Sequence, residues 1–189
     1  AYIAVAKHLE LPTQAYMALS DAKTLDAQAG AETFAGALLA ASAGINSVSG
    51  PGMLDYVMLF SLAKLVLDDE LCGQALHFVR DSKPDDDGTA VSLARELLQE
   101  KQLMTAEHTL NNWREHLYIP SPVIDRQKRD KWEQAGSPSL IKRATVEVEK
   151  ILAAHEPAHT DPQIVHELLR LLKSGLENSV SLPHVTDQY

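Results

Sequence analysis

The chain has 189 residues, 45% of them hydrophobic, which is the length and apolar content of one ordinary domain or of a piece of a larger one. Its formal charge of −9 and pI near 5.3 offer no electrostatic gain to nucleic acid or to an anionic membrane, so cationic or neutral ligands suit it better. The single cysteine, Cys72, excludes an intrachain disulfide and a cysteine-built metal cluster, and reads as a buried helix residue in a reducing cytoplasm.

No span approaches the roughly 20 apolar residues that cross a bilayer. Lys7, His8 and Glu10 interrupt the short apolar start, with no small-residue cleavage site after them, so a signal peptide is not expected and the chain reads as cytoplasmic. Residues 1–9 have helical spacing, and Pro12 closes them because the residue before a proline avoids the α region. Residues 13–19, TQAYMAL, make an apolar run of strand length. A helix follows, with Asp26 as N-cap and Gly44 as C-cap, and its many Ala and Gly positions suit a helix pressed closely onto a sheet. The strand at 45–49 completes a β-α-β unit, for which a right-handed, parallel crossover is expected.

From Ser61 the spacing predicts only helices: one to about Arg80, one in TAVSLARELLQEK after the acidic turn Asp85 to Asp87, and one opened by Thr105 and His108 that runs to Tyr118. After Pro120 and Pro122 come a short helix ended by Gly136, a longer one in SPSLIKRATVEVEKILAAHE, and a last one from Asp161-Pro162 to about Glu177. The tail beyond Ser179 is expected to be loose. Two short strands cannot form an independent parallel sheet, because parallel strands are normally buried on both faces. The missing strands then come from another chain or a self-associated copy, or the sequence is the carboxyl-terminal segment of a longer protein.

Chemistry concentrates in two loops. SGPGMLDY, residues 49–56, lacks the lysine of a phosphate-binding loop, and its pocket and plain-turn readings stand level. Gly50 and Gly52 around Pro51 imply a rigid turn whose backbone approaches something closely. Asn46, Ser49 and Asp55 are read as gathered at the carboxyl end of the strand, where α/β folds place ligands. Asp55 beside Tyr56 suits a quaternary ammonium ion, which gains from a carboxylate and an aromatic face together. SDAKTLDAQAG, residues 20–30, is either a second rim, with Asp21 facing substrate, or N-capping plus an Asp21–Lys23 surface ion pair, and spacing favours the latter. The acids of KLVLDDE point in different directions on a helix and are expected to be mostly solvated. The eight histidines are scattered, His155 and His159 are separated by Pro157, and no metal site is expected. Nothing marks a nucleophile or its base, so no residue is assigned a catalytic role.

SDAKTLDAQAGAE at 20–32, INSVSGPGMLDY at 45–56, KLVLDDELCG at 64–73, and HTLNNWREHLYIPSPVIDR followed by KWEQAG resemble, in that order, the carboxyl-terminal part of the trimethylamine methyltransferase family. The resemblance implies a helix-rich α/β fold in which about two parallel strands belong to the late units of a TIM (β/α)8 barrel. Residues 1–60 would be that barrel part, 61–178 an all-helical extension and 179–189 a flexible tail. It implies methyl transfer from a methylated amine to the cobalt(I) of a separate corrinoid (cobalamin-carrying) protein, with no cofactor bound directly by this chain. Asp21, Asp55, Tyr56, Ser49 and Asn46 would be substrate-side residues, shaped by Gly50 and Gly52. Ser49-Gly50 stand where some relatives carry a histidine, so that histidine's role is not transferred, and the absence of pyrrolysine points to members acting on quaternary amines such as betaines. The chain alone would hold an incomplete active site. A non-catalytic helical interaction module, built on the acidic helices 61–80 and 138–155, is the rival from another class.

Overall fold

A computed structural model describes residues 1–81, 90–156 and 160–175. The acidic turn at 85–87, His159 and the tail beyond 175 therefore lie outside the described residues. The chain divides into two compact units, Ala1–Lys150 and Ile151–Tyr189.

The first unit opens with α1 (Tyr2–His8), β1 (Gln14–Tyr16), α2 (Ala27–Ala43) and β2 (Ser47–Ser49). The two strands are parallel, with Ala15 opposite Val48 and Tyr16 opposite Ser49. Both are shorter than the sequence suggests, three residues each. The caps of α2 are the expected ones: Asp26 Oδ1 accepts the N–H groups of Gln28 (2.9 Å) and Ala29 (3.2 Å), and Gly44 ends the helix at φ 67. Small residues let α2 lie against the strand segment, since a Cβ on Gly36 would stand 1.6 Å from the Met17 carbonyl oxygen. Ala18, Ala37 and Ala75 form the core there, with Phe34, Leu38, Val48 and Cys72 packed around them.

The region between β2 and the next helix is not a plain loop. β3 (Met53–Leu54) and β4 (Leu59–Phe60) pair antiparallel, Met53 opposite Phe60. The hairpin escapes the usual reading because its turn takes left-handed backbone at Asp55, Tyr56 and Val57 (φ 49, 53 and 72) rather than at Asn or Gly. Next comes α3 (Leu62–Phe78), whose Ser61 hydroxyl accepts the Lys64 N–H at 3.3 Å. α4 (Ala90–Glu100), α5 (Glu107–His116), α6 (Arg129–Gln134) and α7 (Leu140–Ala154) follow, the first three without a buried residue. α5 begins after Ala106 with no side-chain cap, not at Thr105, whose hydroxyl accepts from Gln102 Nε2 at 2.7 Å. Leu67, Val123 and Ala144 make a second core between α3, the 118–124 segment and α7. In the second unit α8 (Pro162–Gly175) starts as expected, Asp161 Oδ1 accepting the Gln163 N–H at 2.7 Å.

Glu70 tethers the 118–124 segment: its carboxylate accepts the Ser121 N–H (2.8 Å) and Gln74 Nε2 (3.0 Å), and its carbonyl accepts the Tyr118 hydroxyl (3.2 Å). Burial pushes the Glu70 carboxyl up, but the hydrogen bonds from Gln74 and Ser121 leave it below the ordinary glutamate value. A lowered value stabilises above the unfolded pKa of about 4.3 and is lost as pH falls through the folded value. Urea unfolding from pH 7 to pH 3 will therefore lose stability less steeply in Glu70→Gln than in the parent. Tyr118, pushed up to about 12 by burial and by Glu70, has the opposite sign: its contribution is whole below about pH 10 and lost as pH approaches 12.

Candidate functional site

The loops that follow β1 and β2 are laced together at the carboxyl ends of the strands. Ser20 N–H donates to the Met53 carbonyl at 3.2 Å, and Asp55 N–H donates to the Ala22 carbonyl at 3.0 Å. Buried Leu54 packs with Ala22 and Ala29 beneath them, so SDAK and MLDY form one surface. Glu32, one turn into α2, fixes the first loop: its Oε2 accepts the Ser20 hydroxyl (2.6 Å) and the Asp21 N–H (3.0 Å), and its Oε1 accepts Gln28 Nε2 (2.9 Å). These bonds, Ser20 foremost, hold the Glu32 carboxyl below the usual range. Sequence reasoning did not single out Glu32; its only signal was an acid near the start of a helix that follows a serine loop.

Three consecutive non-glycine residues in the left-handed region store strain in the hairpin turn, and the paired strands on either side hold it. The turn presents Asp55 and Tyr56 toward Lys23. The Lys23 ammonium lies 3.2 Å from Asp55 Oδ1 and 4.6 Å from the centre of the Tyr56 ring, and donates to the Asp21 carbonyl at 2.8 Å. The ion pair expected between Asp21 and Lys23 therefore forms with Asp55 instead, and Asp21 takes part through its backbone. A carboxylate, an aromatic face and a carbonyl oxygen converge on one cation, which is the chemistry of an ammonium site.

The remaining site candidates divide. Gly50 (φ 122) and Gly52 (φ 83) stand where no side chain fits: a Cβ would meet Leu19 Cβ at 2.7 Å and Phe60 Cε2 at 2.6 Å respectively. Ser49 is half-buried, and its hydroxyl accepts Gln14 Nε2 at 2.8 Å between the strands. Asn46 is a correction, because β2 begins after it. It lies at the amino end of the strand, away from the loops, where its Oδ1 accepts the Thr13 N–H (2.9 Å) and hydroxyl (3.2 Å).

KLVLDDE is a second correction: Asp69 is exposed, but Lys64 and Asp68 are wholly buried and Glu70 nearly so. Lys64 Nζ pairs with Asp68 Oδ2 and donates to the Thr33 hydroxyl at 2.9 Å, while Asp68 Oδ2 also accepts the Gly52 N–H at 2.7 Å. The i,i+4 spacing put the pair on one helical face, yet nothing local showed that α2 would close over that face. Burial pushes the Asp68 carboxyl up against the pull of Lys64. Cys72 is half-buried beside the alanine core, and burial raises its thiol, as expected of a packing residue. Among the described residues no three His, Cys, Asp or Glu come together as a possible metal site, and no helix is long and apolar enough to cross a membrane.

Comparison with known proteins gives this geometry a setting. The family model described as trimethylamine methyltransferase (MTTB) matches residues 2–174. A glycine betaine methyltransferase of Desulfitobacterium hafniense strain Y51 is 32% identical over 161 residues, 85% of this chain and 33% of the relative. The trimethylamine methyltransferase MttB of Methanosarcina barkeri is 30% identical over 166 residues, 87% of this chain and 33% of the relative. MttB of Desulfitobacterium hafniense strain DSM 10664 / DCB-2 is 27% identical over 169 residues, 89% of this chain and 34% of the relative. The chain thus spans about a third of the length of these curated relatives. It belongs to the trimethylamine methyltransferase family.

Proposed function

We propose that the chain is the carboxyl-terminal third of a TIM-barrel methyltransferase that moves a methyl group from a quaternary amine, such as a betaine, to the cobalt of a separate corrinoid protein. The observation that carries this reading is the convergence of Asp55 and Tyr56 on one ammonium group. Both sit in the hairpin that follows the parallel strand β2 at its carboxyl end, where barrels keep their sites. The barrel itself is supported by an apolar side chain left uncovered on a parallel strand, since Tyr16 on β1 is 61% exposed. Parallel strands are ordinarily covered on both sides.

The methyl acceptor is a co-substrate brought by the partner, and the cobalt supplies the electron pair of the new bond to carbon. The carbon–nitrogen pair leaves with nitrogen, so a quaternary ammonium departs as a neutral amine and needs no proton. What these residues contribute is orientation, holding the positive nitrogen so that one methyl group faces the acceptor. Strands beyond this chain would supply the rest of the mouth.

Calorimetry with tetramethylammonium and glycine betaine on the full-length protein tests the site. Asp55→Asn and Tyr56→Leu will each weaken binding about 2- to 30-fold, the range of a cation–π or charge contact worth about 0.5–2 kcal/mol, and methyl transfer will fall in step. Unchanged affinity and transfer in both variants would remove these residues from the site. The interaction-module reading, built on helices 61–80 and 138–155, gains one observation on a further helix, the exposed face Ile164, Leu168, Leu171 and Leu172 of α8. A corrinoid-carrying partner that still co-purifies after that face is made polar speaks for methyl transfer.

A further inference from the structure

Lys23 occupies the place that the reading above gives to substrate, and the inference drawn here rests on that reading. The lysine ammonium has every contact an ammonium ligand would want: Asp55 Oδ1 at 3.2 Å, the Tyr56 face at 4.6 Å and the Asp21 carbonyl at 2.8 Å. The surrounding backbone is fixed. Ser20 and Ala22, beside Lys23, are buried and hydrogen-bonded to Met53 and Asp55, and the turn that aims Asp55 and Tyr56 is held in left-handed geometry. The lysine side chain is not fixed in the same way: it is 63% exposed, its Asp55 partner is 42% exposed, and a four-carbon stem lets the ammonium swing into water.

We propose that Lys23 is a tethered internal cation that fills the ammonium subsite of the substrate-free protein and exchanges with the substrate's quaternary nitrogen. The chemistry of exchange is favourable. A primary ammonium is strongly hydrated and regains its hydrogen bonds in water, whereas a tetraalkylammonium has no N–H to satisfy and gains most from a carboxylate and a π face. An exposed ion pair is weak and easily exchanged, so the lysine holds the two side chains in register without blocking them. Exchange also selects: a ligand must offer a cation that prefers an aromatic face to water, which a small hydrated cation does not.

Two measurements on the full-length protein test this, with tetramethylammonium as probe. Lys23→Met removes the competitor and keeps the stem, and will tighten tetramethylammonium binding about two- to fivefold, while Lys23→Arg, which stacks better on Tyr56, will weaken it. In lysine-labelled protein the ε-methylene resonances of Lys23, shifted by the ring beneath them, will move to the position of a free lysine as tetramethylammonium is added. If Asp55→Asn weakens binding but Lys23→Met leaves it unchanged or weakens it, the ammonium site stands and exchange is wrong. If Asp55→Asn and Lys23→Met both leave binding unchanged, the site reading and the exchange fall together. Saturation with tetramethylammonium that leaves the Lys23 resonances in place also overturns exchange, whatever the affinities.

Discussion

Asp68→Ala will lower the stability of the first unit by about 3–5 kcal/mol, read as a fall in the urea midpoint, because it strands a buried ammonium. Lys64 and Asp68 are both fully buried, and among the described residues Lys64 keeps only the Thr33 hydroxyl once the carboxylate is gone. Set against a total of about 5–15 kcal/mol for a domain, such a loss brings the unit close to unfolding at room temperature. The pair is not a simple source of stability. Burial raises the Asp68 carboxyl despite Lys64, and its Oδ1 has no hydrogen-bond partner among the described residues. Replacing both partners with apolar residues of similar size, Lys64→Met with Asp68→Leu, will therefore recover most of the loss. What it will not recover is the anchor on Gly52, whose N–H donates to Asp68 Oδ2 at 2.7 Å. The double variant should unfold between Asp68→Ala and the parent, since the Gly52 N–H and Thr33 hydroxyl lose their partners, and bind tetramethylammonium more weakly, because the hairpin that carries Asp55 and Tyr56 is no longer pinned to α3. Equal binding by parent and double variant would show that the pair serves stability alone.

The contrast between this pair and its sequence reading shows where sequence reasoning reaches its limit. Asp26, Gly44 and Ser61 were legible because a cap is a local event: the hydroxyl or carboxylate and the N–H it accepts lie within three residues, and glycine marks the left-handed end. The β-α-β unit followed from those boundaries. The hairpin was hidden because Asp55, which tolerates left-handed backbone, is followed by Tyr56 and Val57, which take the same conformation and carry no turn signature. Lys23 and Asp55 are 32 positions apart, and the Ser20–Met53 and Asp55–Ala22 hydrogen bonds, with Leu54 packed on Ala22 and Ala29, bring them together. Asp55 and Tyr56 could still be read as an ammonium-binding pair from their chemistry alone. That their cation is another side chain of the same protein required the fold. Asn46 shows the converse, since two residues at one end of a three-residue strand decide whether a side chain faces the loops or the opposite edge.

Gly36→Ala will destabilise the first unit by about 3 kcal/mol or more, although alanine is the better helix former by about 1 kcal/mol. The added Cβ would lie 1.6 Å from the Met17 carbonyl oxygen and 2.7 Å from its carbon, and backbone cannot swing aside as a side chain can. Either α2 lifts off the strand segment or residue 17 leaves its place, and Met17 N–H is itself bonded to the Ser49 carbonyl at 3.2 Å. Gly30→Ala on the same helix supplies the control. Among the described residues nothing lies within 4 Å of its added Cβ, so the change should stabilise by about 0.5–1 kcal/mol. Urea unfolding of the two variants side by side separates helix propensity from contact: opposite signs assign the Gly36 effect to the strand beneath it. The same displacement bears on the site. Met17 leads through Ala18 and Leu19 into Ser20, and Glu32 on α2 fixes Ser20 and Asp21, so a lifted helix pulls the Lys23 loop away from Asp55. Tetramethylammonium binding should therefore fall in Gly36→Ala at temperatures where the variant is still folded, and stay at the parent level in Gly30→Ala.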